Sequence, residues 1–117
     1  MLSQRRRNRS VEMAQRQIDL ELHEDGREHG YTICRNRQGD FIKGRETIGT
    51  HNKVDIDVTC PSGFFPDALF HTHPNGSPEP SQADIRAARR HGIKHLCIGV
   101  PESGETVCHE VCLKCRD

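Results

Sequence analysis

The stretch from Ala68 to Asp84 leaves the chain few ways to fold. Ala68 to His73 is apolar enough for a strand, and Pro74 to Pro80, built from Pro, Asn, Gly, Ser and Glu, can only be a loop. A helix must follow at once. Ser81 is its cap, Ile85 and Ala88 mark its inner face, and Gly92 after Arg89, Arg90 and His91 is a natural stop with basic residues at the negative end of the dipole. Strand, seven-residue loop and capped helix are therefore fixed in order. In a strand, residues two apart share a face, so His71 and His73 project together with Thr72 turned away.

The other elements are placed around this unit. Ser10 caps a helix over Val11 to Glu24, with Val11, Ala14, Ile18 and Leu22 at helical spacing. The alternation of Ile18, Leu20 and Leu22 before Asp25-Gly26 also fits a strand running into a hairpin turn. Tyr31 to Arg35 reads as a strand, and Arg37 to Asp40 turns it into a second over Phe41 to Ile48. Val54, Ile56 and Val58 alternate with Asp55, Asp57 and Thr59, the pattern of a strand with one buried and one wet face, ended by Cys60 to Gly63. Two strands, Ile93 to Val100 and Thr106 to Cys112, close the chain through Pro101 to Gly104. Phe64 and Phe65 before Pro66 suit either a core or a surface that faces a partner.

A chain of 117 residues has room for one core, and a hydrophobic content of 32% with 4% aromatics makes it modest and aliphatic. Lys plus Arg and Asp plus Glu both count 17, so no global field draws nucleic acid or an anionic membrane. The local exception is Arg5, Arg6, Arg7 and Arg9, which makes residues 1–9 a solvated basic tail ahead of one domain over residues 10–117. No apolar run reaches the roughly 18 residues of a membrane span, and none after the arginines forms a signal-peptide core. A soluble, cytoplasmic protein without membrane partners is expected.

Two imidazoles on one strand face, and a carboxylate returned by Asp84 from the first helical turn, make a three-ligand set. Such a set leaves a tetrahedral zinc one open position for water, the mark of a catalytic rather than a closed structural site. Taken singly the parts are bland. His-x-His is common on exposed strands, and Ser81-x-x-Asp84 also spells a capping box that satisfies free amides at a helix start. The combination at fixed spacing is what points to metal.

That combination, His71-Thr72-His73, seven residues, then Ser81-x-x-Asp84, resembles the signature of the JAMM (MPN-plus) zinc metalloproteases. The loop, with Pro80 just before Ser81, is similar to those of the RadC-type and prokaryotic branches. The resemblance implies a compact α/β domain, a mixed sheet flanked by helices with cytidine-deaminase-like layering. It implies one catalytic zinc on His71, His73 and Asp84, and hydrolysis of an isopeptide or peptide bond after a ubiquitin-like or small sulfur-carrier-like modifier. Ser81 would donate to the oxyanion, and Glu28 stands where the family places its general base, ahead of a glycine. The family's spacing to that glycine is three residues and here it is two, so Glu24 is held in reserve and Glu46, in a later strand, behind it. Without a carboxylate at the zinc water the domain would be a non-catalytic interaction module. A RadC-like DNA-associated role is the other alternative, motivated by the loop and the arginines, although nucleic acid is not the expected partner.

The six cysteines complete the reading. Without a signal peptide they are expected as thiols or metal ligands, with intracellular disulfides left open for a hyperthermophile source. Cys108, Cys112 and Cys115, with His109 or Cys97, have spacing for a second, structural zinc, but the favoured expectation is that Cys97 and Cys108 are small buried hydrophobes in adjacent strands. Cys34 and Cys60 have no assignable partner.

Overall fold

The computed structural model describes residues 25–74 and 76–115. The helix expected over Val11 to Glu24, the basic tail and Glu24 lie outside the described residues. Six strands form one mixed sheet: β1 (His29–Asn36), β2 (Phe41–Lys43), β3 (Thr47–Ile48), β4 (Phe64–Thr72), β5 (His95–Val100) and β6 (Glu105–Glu110). One helix, α1 (Gln82–Arg90), joins β4 to β5. The order is β2-β1-β4-β5-β6, with β3 also paired to β1. Only β4 and β5 run parallel, and α1 is the crossover that a parallel pair requires. The expected mixed sheet is present; its flanking is lighter than expected, one helix among the described residues.

Alternation along the strands sorts the core into two faces. Leu69 and Leu96 turn to one side, where they pack with Ala88 of α1, Ile93 and Val111. Tyr31, Ile33, Phe70 and Cys97 gather on the other. Burying a side chain of this size stabilises by about 1.5–3 kcal/mol, so Leu69 and Leu96 are what hold α1 to the sheet. The helix stops as its sequence demands. Gly92 takes φ of 66°, a conformation costly for other residues, and the Ile93 amide returns to the Ala88 carbonyl at 2.9 Å.

Three strand expectations are corrected. The single strand over Phe41 to Ile48 is two short pieces, because Gly44 lies against β1: its amide donates to the Thr32 carbonyl at 2.7 Å, and a Cβ there would sit 2.9 Å from that oxygen. β4 begins at Phe64 rather than Ala68, since Phe64 and Phe65 pair with Asn36 and Arg35. Pro66 is accommodated there because the register slips at Asp67, a bulge, and β5 pairs only from Ala68 onward. Phe65 is 55% exposed, so of the two phenylalanines it is the one at the surface.

Residues 54–58 are not in a ladder, despite their alternation. Ile56 and Val58 do pack on the Leu69 cluster, so the apolar side of the pattern is correct. The backbone is held instead by side chains: Thr32 Oγ1 donates to the Asp57 carbonyl at 2.8 Å, and Thr47 Oγ1 to the Asp55 carbonyl at 2.9 Å. This segment lies over the same sheet face as α1, leaving a cleft between the two.

The expectation of thiols is also corrected, because all six cysteines are paired, as Cys34–Cys60, Cys97–Cys108 and Cys112–Cys115. Cys97 and Cys108 are cross-strand partners in β5 and β6, which brings their Cα atoms to 3.9 Å. No thiolate is left at Cys108, Cys112 and Cys115 to hold a second zinc, and His109 donates from Nε2 to the Pro78 carbonyl at 2.8 Å. No described helix is long and apolar enough to cross a membrane.

Candidate metal centre

His71 near the end of β4 and His73 just past it sit where the parallel β4–β5 pair opens toward the start of α1. Their side chains are driven inward by strand alternation, and both residues are buried. The two Nε2 atoms stand 2.9 Å apart. Asp84 Oδ2 completes a triangle, 3.2 Å from His71 Nε2 and 3.4 Å from His73 Nε2.

What fixes Asp84 is the start of the helix. Ser81 Oγ accepts from the Asp84 amide at 3.1 Å, and Asp84 Oδ2 accepts from the Ser81 amide at 2.7 Å, a complete capping box. The capping and ligand readings of Ser81-x-x-Asp84 are thus compatible in one geometry. The cap aims the carboxylate, and the same oxygen meets the histidines.

His73 is oriented from behind. Its Nδ1 donates to the Ser77 carbonyl at 2.8 Å, which places the free lone pair on Nε2, where the other donors converge. The His71 Nδ1 is buried with no hydrogen-bond partner among the described residues. The loop that supplies Ser77 is itself tied to β6 by the His109 bond to Pro78. Neither carbonyl could be read from the sequence, since a main-chain acceptor carries no residue identity.

Glu28 immediately precedes β1, and the register explains its place. Gly30 pairs with His71, so Glu28, two residues earlier in an antiparallel pair, falls level with His73 on the same face. An even offset to the glycine is what alternation needs here. Glu28, His71 and His73 offer ligand atoms all within 4.8 Å of one another. The Glu28 backbone is clamped on both sides, its amide to the Thr50 carbonyl at 2.7 Å and its carbonyl to the Gly49 amide at 2.8 Å. Glu46 is turned elsewhere, bonded to Lys43 at 2.8 Å and to His29 Nδ1 at 3.3 Å.

The two carboxylates differ electrostatically. Burial raises the Glu28 carboxyl above its ordinary range, with the histidines pulling partly the other way. Burial acts upward on Asp84 as well, yet hydrogen bonds from His71 and His73, donated when the rings are protonated, outweigh it and hold that carboxyl well below the usual range. Burial would lower His73, but Asp84, the Ser77 carbonyl and Glu28 together raise it. One carboxylate is therefore committed to the histidines and the other is the more basic, the division expected between a ligand and a general base.

The donor set suits a cation. Tetrahedral ligands about 2.05 Å from zinc lie about 3.3 Å from one another, and the observed triangle has sides of 2.9, 3.2 and 3.4 Å. Two imidazole nitrogens and a carboxylate oxygen at this spacing need positive charge between them, a proton or a metal cation.

Comparison with known proteins bears on the same segment. Residues 64–111, from the start of β4 through β6, match the family model described as prokaryotic homologs of the JAB domain. The segment that carries His71, His73 and Asp84 is similar to a JAB domain, and Glu28 lies ahead of it. The chain is also 41% identical over 76 residues to a 4-hydroxy-tetrahydrodipicolinate reductase of Nitratidesulfovibrio vulgaris (strain DSM 19637 / Miyazaki F). That alignment takes in 57% of this chain but 29% of the reductase, so the chain spans under a third of that protein's length. No solved structure matches.

Proposed function

We propose that this JAB-like domain is a zinc-dependent hydrolase of an isopeptide or peptide bond, releasing a ubiquitin-like or small sulfur-carrier-like modifier from its conjugates. The observation that carries the reading is the convergence of His71 Nε2, His73 Nε2 and Asp84 Oδ2 beside a buried, more basic Glu28. A bound zinc would supply Lewis acidity to a water and to the scissile carbonyl.

The chain's own groups then have separable tasks. Glu28 takes the proton of the attacking water and passes it to the departing amine. Ser81 uses its oxygen to cap α1, which leaves its hydroxyl proton to donate toward the oxygen of the substrate carbonyl on the cleft side. The Ser77 carbonyl keeps His73 in one tautomer. The reading of the domain as a non-catalytic module rested on the spacing at Glu28, and the Gly30–His71 register supports the catalytic one.

The test is metal content per chain and cleavage of modifier conjugates, for the wild type and for His71→Ala/His73→Ala. One zinc per chain and cleavage, both lost in the double variant, are expected. A folded wild type that takes up no supplied zinc, or cleavage that survives in the double variant, would sink the proposal.

A further inference from the structure

A cleft of about 480 Å³ runs from His71 and Asp84 along α1, between that helix and residues 52–58. Its floor is aliphatic, with Ile56, Val58, Leu69 and Leu96. Its rim is basic. Lys53 on one wall and Arg86 and Arg90 on the other line it, against Asp55, the one carboxylate there besides the Asp84 already bound to the histidines. Among the described residues neither arginine nor Lys53 makes an ion pair, although the chain as a whole is electrically neutral. Three uncommitted cations against one uncommitted carboxylate give this cleft a local sign that the composition hides.

We propose that the cleft selects an acidic peptide segment, so that the substrate presents Asp or Glu beside the bond to be cleaved. This deepens the hydrolase reading above and rests on it for the words "bond to be cleaved"; the binding preference stands on the cleft alone. Arg86 and Arg90 are one helical turn apart and therefore neighbours on one face. Ala83 and Ala87, also lining the cleft, leave room for a backbone to lie along α1. At about 1.5 Å rise per residue, Arg90 lies about 9 Å along the helix from Asp84. An extended chain covers that distance in about three residues. The acid read by Arg90 is thus placed about three residues from the reacting carbonyl, and Arg86 reads one nearer to it.

A peptide fits better than nucleic acid. Among the described residues no Phe, Tyr or Trp lines the cleft, so bases lack the large aromatic platforms that single-strand binding uses, while the aliphatic floor suits side chains of a peptide. A modifier tail rich in Lys or Arg would meet repulsion at the same rim.

The test uses the zinc-loaded full chain and two labelled, non-cleavable peptides that differ only in carrying Glu or Lys three residues from the mimicked bond, with binding read by fluorescence anisotropy. Solvent-exposed ion pairs contribute up to about 1 kcal/mol each, so the Glu peptide should bind about tenfold tighter. The preference should shrink between about 50 and 200 mM salt. It should vanish in Arg86→Gln/Arg90→Gln and reverse in Arg86→Glu/Arg90→Glu, with zinc content unchanged in both. Both arginines are exposed, so these variants should fold. Equal binding of the two peptides overturns the inference, and so does displacement of the Glu peptide by a single-stranded oligonucleotide that binds more tightly. Acid preference without turnover of any conjugate would leave this inference standing and remove the hydrolase reading; equal turnover of acidic and basic conjugates would do the reverse.

Discussion

The two walls of the cleft look alike in sequence and are built on different principles. On one side β4 alternates through Leu69, His71 and His73, lies between β1 and β5 in a continuous ladder, and hands over to a capped helix. On the other, Val54, Ile56 and Val58 alternate as cleanly, yet the backbone is held by two threonine hydroxyls and, at its end, by the Cys34–Cys60 disulfide. A ladder fixes side chains to within the tolerance that metal ligation and proton transfer need. A wall tethered at a few points can yield to the shape of a substrate. On the proposed function, chemistry and selection would be divided between them, and each of the following variants should strike one side and spare the other.

The largest effect should come from Glu28→Gln, on the ladder side. The amide keeps the size and the backbone clamps of Glu28 but cannot accept a proton, so kcat should fall by about 10²–10⁴ while zinc stays bound. Loss of zinc in this variant would make Glu28 a ligand instead, and Asp84 a pure cap. Ser81→Ala comes next. It removes a cap oxygen from the Asp84 amide, costing about 1 kcal/mol of stability, and a donor toward the substrate oxygen, costing up to about 10² in kcat. A thermal shift without any change in kcat would leave Ser81 as a helix cap alone.

Much of the ladder side was legible in the sequence, because each part has a local signature. His71 and His73 are two apart in an apolar strand, the Pro74 to Pro80 loop cannot be anything else, and Ser81 and Asp84 spell their own cap. Glu28 was reached only through the family resemblance, and its two-residue distance from Gly30 departed from that pattern; the pairing of Gly30 with His71 is what sets Glu28 level with His73. The tethered side was misread for a physical reason. Alternation reports which side chains are buried, and Ile56 and Val58 are indeed packed on the core, but it cannot report whether the backbone finds a ladder partner. The disulfides were missed because pairing is set by proximity in three dimensions. Cys34 and Cys60 are 26 residues apart, and only the path of residues 52–60 over β1 brings them together.

On the tethered side, Cys34→Ala/Cys60→Ala should have the larger consequence. The closed loop spans 26 residues, for which loop-closure entropy predicts a loss of about 3.5 kcal/mol. Urea unfolding should show it, and KM should rise with kcat and zinc content nearly unchanged. If zinc affinity fell in step with stability, the two walls would be one cooperative unit and the division of labour would be wrong.

The finest probe of the comparison is Thr32→Val. Thr32 is fully buried in β1 and its Oγ1 donates to the Asp57 carbonyl at 2.8 Å, the point where the ladder reaches out to the other wall. Valine keeps the shape and the strand preference, so β1 should be undisturbed. What goes is one hydrogen bond, worth about 1 kcal/mol, and with it the tether at the middle of residues 54–58. The expected result is a small fall in stability and a rise in KM of about fivefold or less, with zinc content and kcat unchanged. A fall in kcat with KM constant would mean that this wall positions the reacting groups after all, because the loss of a single tether to it would then be felt at Glu28 and the histidines.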